Sequence, residues 1–351
     1  MSDSIKVTVD LSTYNQEAYV AQALDSILMQ KTSFPFEVIA ADDCSTDGTQ
    51  AVILDYQRRY PGKIVTFFTD PNVGGCKKLT DCLDRGLFRG EYLAWLEGDD
   101  YWLDESRLQT LVDFLEEHPE YSRVGHKRLV IDENGTKKGF DLSDDVLEKP
   151  FTIDDFLAGR NYSDFGSVFR NYFAEAGAKY HPLLQASRNV CDFQDMFITQ
   201  DFGPVYVMDR CFGVYRSRSA AGHSNYNSIT TAAFRCRENI RLARAVEAFY
   251  RHKYDLSPTI RRSRTRLLTL ALGDRDAWDA AAAEMPAGEL RSIAAELLYL
   301  AWRGRRTGEL RFLRERVPNL TIPAARFGLR RISEKLRRVP HEDQRRGLRK
   351  E

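Results

Sequence analysis

What this chain lacks narrows its chemistry before any motif is considered. Its six cysteines (Cys44, Cys76, Cys82, Cys191, Cys211 and Cys236) form no C-x-x-C pair. Neither a zinc ribbon nor a disulfide framework is indicated, and the thiols read as reduced and structural. No stretch reaches the roughly 18 uninterrupted apolar residues that a membrane helix needs, and the N-terminus lacks a basic-then-apolar leader. The protein is therefore expected to be made and kept in the cytosol. There is no G-x-x-x-x-G-K-[ST], which excludes a P-loop, and no G-x-G-x-x-G follows the first strand, which speaks against a dinucleotide fold. The motif-bearing half has no basic patch interleaved with aromatics, so nucleic acid is not an expected partner.

Charge is present in abundance but unevenly placed. The 351 residues are formally neutral, with 51 Lys and Arg against 51 Asp and Glu. Residues 235–351 hold 28 basic against 15 acidic side chains, a net of +13, so residues 1–234 carry −13. The two parts differ in kind, and a separate C-terminal unit is expected that faces an anionic surface, packs on the acidic part, or is simply a solvated helical surface. The length fits one large domain with an accessory region.

In the acidic part, apolar runs end in carboxylates. Ile5, Val7, Val9 and Leu11 alternate with polar residues as in a strand, which stops at Ser12-Thr13-Tyr14-Asn15. Asn15 is placed to cap a helix whose apolar face carries Val20, Ala23, Leu24, Ile27 and Leu28. A second strand, Phe36 to Ala41, ends at Asp42-Asp43, and Asp47 is placed to cap a helix through Val52, Ile53 and Tyr56. Lys63 to Phe68 reads as a third strand, followed by the turn-rich Asp70-Pro71-Asn72-Val73-Gly74-Gly75 and then Lys77 and Lys78. Tyr92 to Leu96 reads as a buried strand that stops at Glu97-Gly98-Asp99-Asp100-Tyr101-Trp102. Strand and helix in alternation imply a parallel sheet with right-handed crossovers. Ligands bind beyond the carboxyl ends of such strands, where these acids gather. Adjacent carboxylates repel unless a cation lies between them, and hard oxygen donors suit Mg²⁺ or Mn²⁺. A solvated acidic turn would use the same residues.

Together, Thr13-Tyr14-Asn15, the segment Asp42-Asp43-Cys44-Ser45-Thr46-Asp47-Gly48-Thr49 and the segment Glu97 to Trp102 make residues 5 to about 220 resemble a family 2 glycosyltransferase. The resemblance implies the α/β GT-A fold, a Rossmann-like, mostly parallel sheet flanked by helices, here with an α-helical C-terminal region. It implies a GT-A domain over 1–234, a helical accessory region over 235–338 and a disordered basic tail over 339–351. It makes Thr13, Tyr14, Glu17, Asp42 and Asp43 candidate base and ribose contacts, Asp43 foremost. The family's metal motif falls on Asp99 and Asp100, with Asp100 the direct ligand of Mn²⁺ or Mg²⁺ and Asp99 bound to ribose or to a metal water. Lys77 or Lys78 could face the diphosphate, or simply be solvated.

Inverting transfer also needs a general base for the acceptor hydroxyl. The family carries an acid near the start of a later helix, which points to Asp192, with Asp195 as the alternative; either could instead only satisfy a helix dipole. Pro204 to Tyr215 resembles the family's closing pair of strands, ending in Gly213-Val214-Tyr215-Arg216. Relatives often place His two residues later, where this chain has Arg218, and His223 is a weak substitute. Arg216 and Arg218 could contact the diphosphate or form an exposed basic loop. Phe151 to Arg170, with Asn161-Tyr162-Ser163-Asp164-Phe165, suits sugar binding and suits an ordinary loop equally. Beyond residue 235, Asn239–Tyr250, Arg261–Leu272, Ala277–Glu284, Glu289–Trp302 and Glu309–Arg314 show helical spacing. Arg326 to Arg338 forms a basic amphipathic segment for anionic lipid, for the catalytic domain or for a second copy in a homo-oligomer. The expected activity is metal-dependent, inverting transfer from a nucleoside diphosphate sugar, a UDP-sugar favoured, to a glycan or lipid-linked acceptor in polysaccharide, lipopolysaccharide or protein glycan synthesis. The alternatives are a non-catalytic helical scaffold with a relic sugar-nucleotide site and a sugar nucleotidyltransferase.

Overall fold

The computed structural model describes residues 4–160, 166–189, 191–217, 230–304, 306, 308–309 and 312–313. The described residues of Met1–Thr231 with Arg241–Leu256 form one compact unit, and those of Ala232–Ile240 with Ser257–Glu351 form another.

The first unit is built on a ten-stranded sheet. Its strands are β1 (Val7–Thr13), β2 (Phe36–Asp42), β3 (Ile64–Phe68), β4 (Tyr92–Glu97), β5 (Tyr101–Trp102), β6 (Arg123–Ile131), β7 (Lys137–Phe140), β8 (Pro150–Phe151), β9 (Val168–Arg170) and β10 (Val205–Arg216). The order is β3-β2-β1-β4-β9-β6-β10-β5, with β7 beside β6 and β8 beside β10. β1, β2, β3 and β4 run parallel, while the short β9 is antiparallel to both β4 and β6. Register puts Thr13 opposite Asp42 and Ser12 opposite Glu97, so the acid-bearing ends of β1, β2 and β4 lie side by side.

Alternation along β1 decides which face is apolar. Val7, Val9 and Leu11 are fully buried against α1 (Val20–Leu28), α2 (Thr49–Arg59) and α4 (Arg107–Glu117), in one cluster with Phe36, Val38, Ala40, Ile53, Ala94, Leu96 and Leu111. Val20, Leu24 and Ile27 of α1 are wholly buried, and each such side chain stabilises the fold by about 1.5–3 kcal/mol. The opposite face is polar although buried. Thr8, Asp10 and Ser12 look away from that core, toward Glu37 of β2 and Lys78 of α3 (Gly75–Asp84). Burial lifts the Asp10 carboxyl to about 6, the Lys78 charge opposing it.

Two helix starts differ from expectation. Asn15 does not cap α1, which begins at Val20. Its backbone is left-handed, φ 51°, and its Oδ1 accepts from the Thr46 N–H at 2.8 Å, stitching the β1 loop to the β2 loop. Asp47 likewise stands one residue ahead of the N-cap of α2, Gly48, although its carboxylate accepts the Thr49 N–H at 3.0 Å. The expected closing pair of strands is one continuous strand, β10, whose register against β6 shifts between Met208 and Gly213. A bulge absorbs the polar Asp209-Arg210 without breaking the ladder.

Further along lie the short helices α5 (Ile153–Leu157), α6 (Tyr172–Ala176) and α7 (His181–Leu184), then α8 (Asp192–Gln200). α9 (Ala232–Phe249) crosses the division between the units. The second unit holds α10 (Ser257–Leu270), α11 (Arg275–Ala283) and α12 (Ala287–Arg303), close to the expected helical spans. Asp274 caps α11 by accepting from the Ala277 N–H, and Arg261 pairs with Glu296 while Arg264 pairs with Glu289. The basic segment 326–338 and the tail 339–351 lie outside the described residues.

Candidate active site

The floor of the site is made by loops leaving β1 and β2. Asp42 is completely buried and its carboxylate accepts from Thr13 Oγ1 at 2.8 Å, from the Ser45 N–H at 2.8 Å, from Ser45 Oγ and from Gln50 Nε2 at 2.6 Å. Asp43 gathers the loop after β3, accepting from Thr69 Oγ1, the Val73 N–H and the Gly74 N–H, each at 2.8 Å, while its carbonyl accepts from Asn72 Nδ2. Gly74 has φ 90°, and a Cβ there would sit 2.3 Å from Arg188 Cγ, so the loop closes directly on the segment that leads into α8. Cys76 extends that junction, its N–H donating to the Arg188 carbonyl and its free thiol lying beside the free thiol of Cys191.

Other residues expected at the donor have defined places of their own. Glu17 donates its N–H to Asp47, and its carboxylate accepts the Gly48 N–H at 2.9 Å, tying the loop before α1 to the loop before α2. Tyr14, half-buried, follows Thr13 at the end of β1. Lys77 pairs with Asp81 one turn along α3. Lys78 is buried beneath the strands, donating to Ser12 Oγ at 2.7 Å and to the Ala41 carbonyl at 2.9 Å. It braces β1 against β2 from below, a task its sequence position after a glycine turn does not announce.

The turn at the end of β4 is tightly held. Gly98 packs so closely on the β1 end that an added Cβ would lie 2.6 Å from Gln16 Oε1 and 2.7 Å from Thr13 Cγ2. This sets Asp99 and Asp100, each 2% exposed, directly after the turn that packs on the end of β1. Asp100 Oδ1 accepts the Arg216 N–H at 2.8 Å, and its Oδ2 lies 3.2 Å from Arg128 Nη1. Burial and then the neighbouring Asp99 charge push the Asp100 carboxyl up to about 8. Glu97 is raised well above the usual carboxylate range, by burial first and then by Asp99, Asp100 and Asp192. Mutual repulsion of this kind is what a cation relieves. Among the described residues, no three His, Cys, Asp or Glu side chains gather into a coordination set. Arg216, at the end of β10, also reaches Gln22 and lies between the rings of Tyr19 and Tyr101, at 5.0 and 5.1 Å. Arg218, the loop 161–165 and His223 lie outside the described residues.

The two acids of α8 part company. Asp195 is fully buried, ion-paired with Arg123 at 2.5 Å and accepting from Tyr172 Oη at 3.1 Å. Its partners occupy it entirely inside the protein. Asp192, the first residue of α8, is exposed, with Glu97 and Arg128 near enough to interact with its charge. Its carboxyl is raised, first by the surrounding protein and then by the Asp195 charge, while Arg128 and Arg123 oppose the rise. Arg128 and Asp141, which complete this cluster, were not expected from the sequence; their signal, a basic residue on β6 and an acid after β7, emerges only once the hairpin is paired.

Known proteins place the family and the fold. The family model described as glycosyl transferase family 2 matches residues 8–177. The putative glycosyltransferase EpsE of Bacillus subtilis is 36% identical over 238 residues, 62% of this chain and 83% of EpsE. An uncharacterized protein of Mycobacterium tuberculosis is 40% identical over 156 residues, so the match spans only 44% of that relative's length and 44% of this chain. The crystal structure of residues 1–349 of Staphylococcus aureus TarS in complex with UDP-GlcNAc shares the fold, with a TM-score of 0.58 at 18% identity over 89% of this chain and 91% of that one. The expected GT-A architecture with a helical C-terminal region is therefore borne out.

Proposed function

From the premise that this chain belongs to glycosyltransferase family 2, we propose that it transfers a sugar, with inversion, from a nucleoside diphosphate donor to a hydroxyl of a glycan or lipid-linked acceptor. The observation that carries this reading is that the buried Asp99 and Asp100 and the exposed Asp192 all press their charge on the same neighbour, Glu97, at the end of β4. Thr13, Tyr14, Asp42 and Asp43 shape the nucleoside end, the two aspartates by fixing the loops they tie.

A divalent ion fits the donor set: the adjacent hard oxygens of Asp99 and Asp100 repel one another, a repulsion that Arg128 offsets only in part, and Mg²⁺ commonly binds through one or two carboxylates plus substrate phosphates. Mn²⁺ or Mg²⁺ bound there would neutralise the charge that develops on the leaving nucleoside diphosphate. Asp192 takes the acceptor hydroxyl proton as the oxygen attacks the anomeric carbon. The new C–O bond forms as the bond to the diphosphate oxygen breaks, and the proton remains on the Asp192 carboxyl. Its raised pKa suits a base working near neutrality better than an ordinary carboxylate would. Asp195 holds α8 in place through Arg123.

A screen of UDP-, GDP-, dTDP- and CMP-sugars for slow donor hydrolysis with and without Mn²⁺ tests the reading. Metal-dependent release of one nucleotide is expected, UDP first. Donor binding without any turnover would favour a scaffold with a relic site, and consumption of a nucleoside triphosphate with pyrophosphate release would favour a nucleotidyltransferase. The biosynthetic setting we favour is surface polysaccharide, lipopolysaccharide or protein glycan assembly.

A further inference from the structure

The β6–β7 hairpin delivers a fixed positive charge into the acidic site. Arg128 is held by Asp141 at two points, its Nε 2.8 Å from Oδ2 and its backbone N–H 2.7 Å from Oδ1. The Asp141 N–H returns a bond to the Arg128 carbonyl, and the guanidinium lies 4.8 Å from the ring of Tyr215. So anchored, with its side chain 13% exposed, it sets Nη1 3.2 Å from Asp100 Oδ2. The other oxygen of Asp100 is engaged by the Arg216 N–H. A metal ion arriving alone at Asp100 must therefore share a carboxylate already bonded on both oxygens and approach a guanidinium that cannot withdraw. It also finds no third protein carboxylate, imidazole or thiolate in coordinating position among the described residues. A diphosphate brings both missing elements, oxygen ligands and negative charge to offset the guanidinium.

We propose that Arg128 is a positioning residue that occupies the Asp100 carboxylate in the donor-free protein and so suppresses binding of the free metal, making tight metal binding conditional on the donor's diphosphate. This rests on the metal-dependent reading above. Arg128 acts through Asp100 and not on the sugar.

The test is calorimetric titration of Mn²⁺ into the full chain, alone and with saturating UDP, for the wild type, R128Q and the charge-balanced R128Q/D141N, with D100N as the blank. The double variant leaves no lone buried carboxylate at 141, so it keeps the fold if the single one does not. Both variants are expected to bind Mn²⁺ alone about tenfold or more tightly than the wild type, the scale of one removed neighbouring charge. The wild type should bind well only with UDP. An R128Q/D141N that melts like the wild type yet binds free Mn²⁺ no more tightly overturns the proposal. So does a gain confined to R128Q, since that would reflect net charge and not occupancy of Asp100. Wild-type protein that binds no Mn²⁺ even with UDP defeats the metal reading itself; wild-type binding with UDP and unchanged variants defeats only the role of Arg128.

Discussion

Replacing Asp192 by Asn separates chemistry from folding more cleanly than any other change in this site. Asp192 is open to solvent at the first turn of α8, where a carboxylate contributes about 0.3–1 kcal/mol through the helix dipole. Its loss should lower the melting temperature by no more than about 2–4 °C. Loss of a positioned general base should reduce kcat by about 10²- to 10⁴-fold, or roughly 3–5 kcal/mol of transition-state stabilisation. Donor affinity should stay near the wild-type value. Because the carboxyl is raised above the ordinary range, the acid limb of kcat/KM should rise with pH above the usual carboxylate region, and that limb should vanish in D192N. D195N is the contrasting control. Removing one partner of the fully buried Arg123 pair costs about 3–5 kcal/mol and leaves a buried charge. It should melt roughly 10 °C lower and lose activity in proportion to lost fold. The assay is initial-rate transfer or donor hydrolysis beside thermal melting. A D192N enzyme within a few-fold of wild type, beside a well-folded but inactive D195N, would refute the assignment.

Three further outcomes follow from particular contacts. D100N should lose Mn²⁺-dependent donor affinity by about tenfold or more, since a metal-ligand carboxylate is replaced by a neutral amide; isothermal titration with UDP and Mn²⁺ checks it. G98A must displace Gln16 or Thr13, whose atoms lie 2.6 and 2.7 Å from the added carbon, and should weaken nucleotide binding about tenfold with a small fall in melting temperature, read by fluorescence titration. D10N should stabilise the protein at pH 7. The Asp10 carboxyl sits near 6 when folded against 3.8 as its ordinary value, so between those pH values only the folded state holds the proton, and stability falls as pH rises from 3.8 through about 6. The shift corresponds to about 3 kcal/mol, so urea unfolding should find D10N more stable at pH 7 by about that amount and equal to wild type at pH 4 or below.

The sheet's parallel half was readable because each of its strands declares itself locally. Val7, Val9 and Leu11 alternate, and Phe36 to Ala41 and Tyr92 to Leu96 are short apolar runs stopped by acids, so both the strands and their shared edge follow from period and termination. The other half, of mixed direction, was not. β9 is three residues long and pairs with partners far away in the chain, and β10 hides a bulge at a place that reads as a turn. The roles of individual side chains divide the same way. That acids would gather at Asp42, Asp43, Asp99 and Asp100 follows from strand ends; that Asp42 and Asp43 are saturated by neighbouring donors, or that Lys78 lies beneath the sheet, depends on loop closure. Asp192 and Asp195 lie three residues apart on one helix, and only the buried Arg123 decides which of them is spoken for. Arg128 stands on a strand whose place beside the site comes from long-range pairing, which no local pattern carries.

The central claim is that Asp99 and Asp100 hold a metal against a donor diphosphate, and titration of UDP into the wild-type chain and D100N, with and without Mn²⁺, addresses it most directly. The account predicts tight UDP binding by the wild type only when Mn²⁺ is present, and weak binding by D100N in either condition. UDP affinity that is the same with and without the metal, or unchanged in a folded D100N, would contradict it.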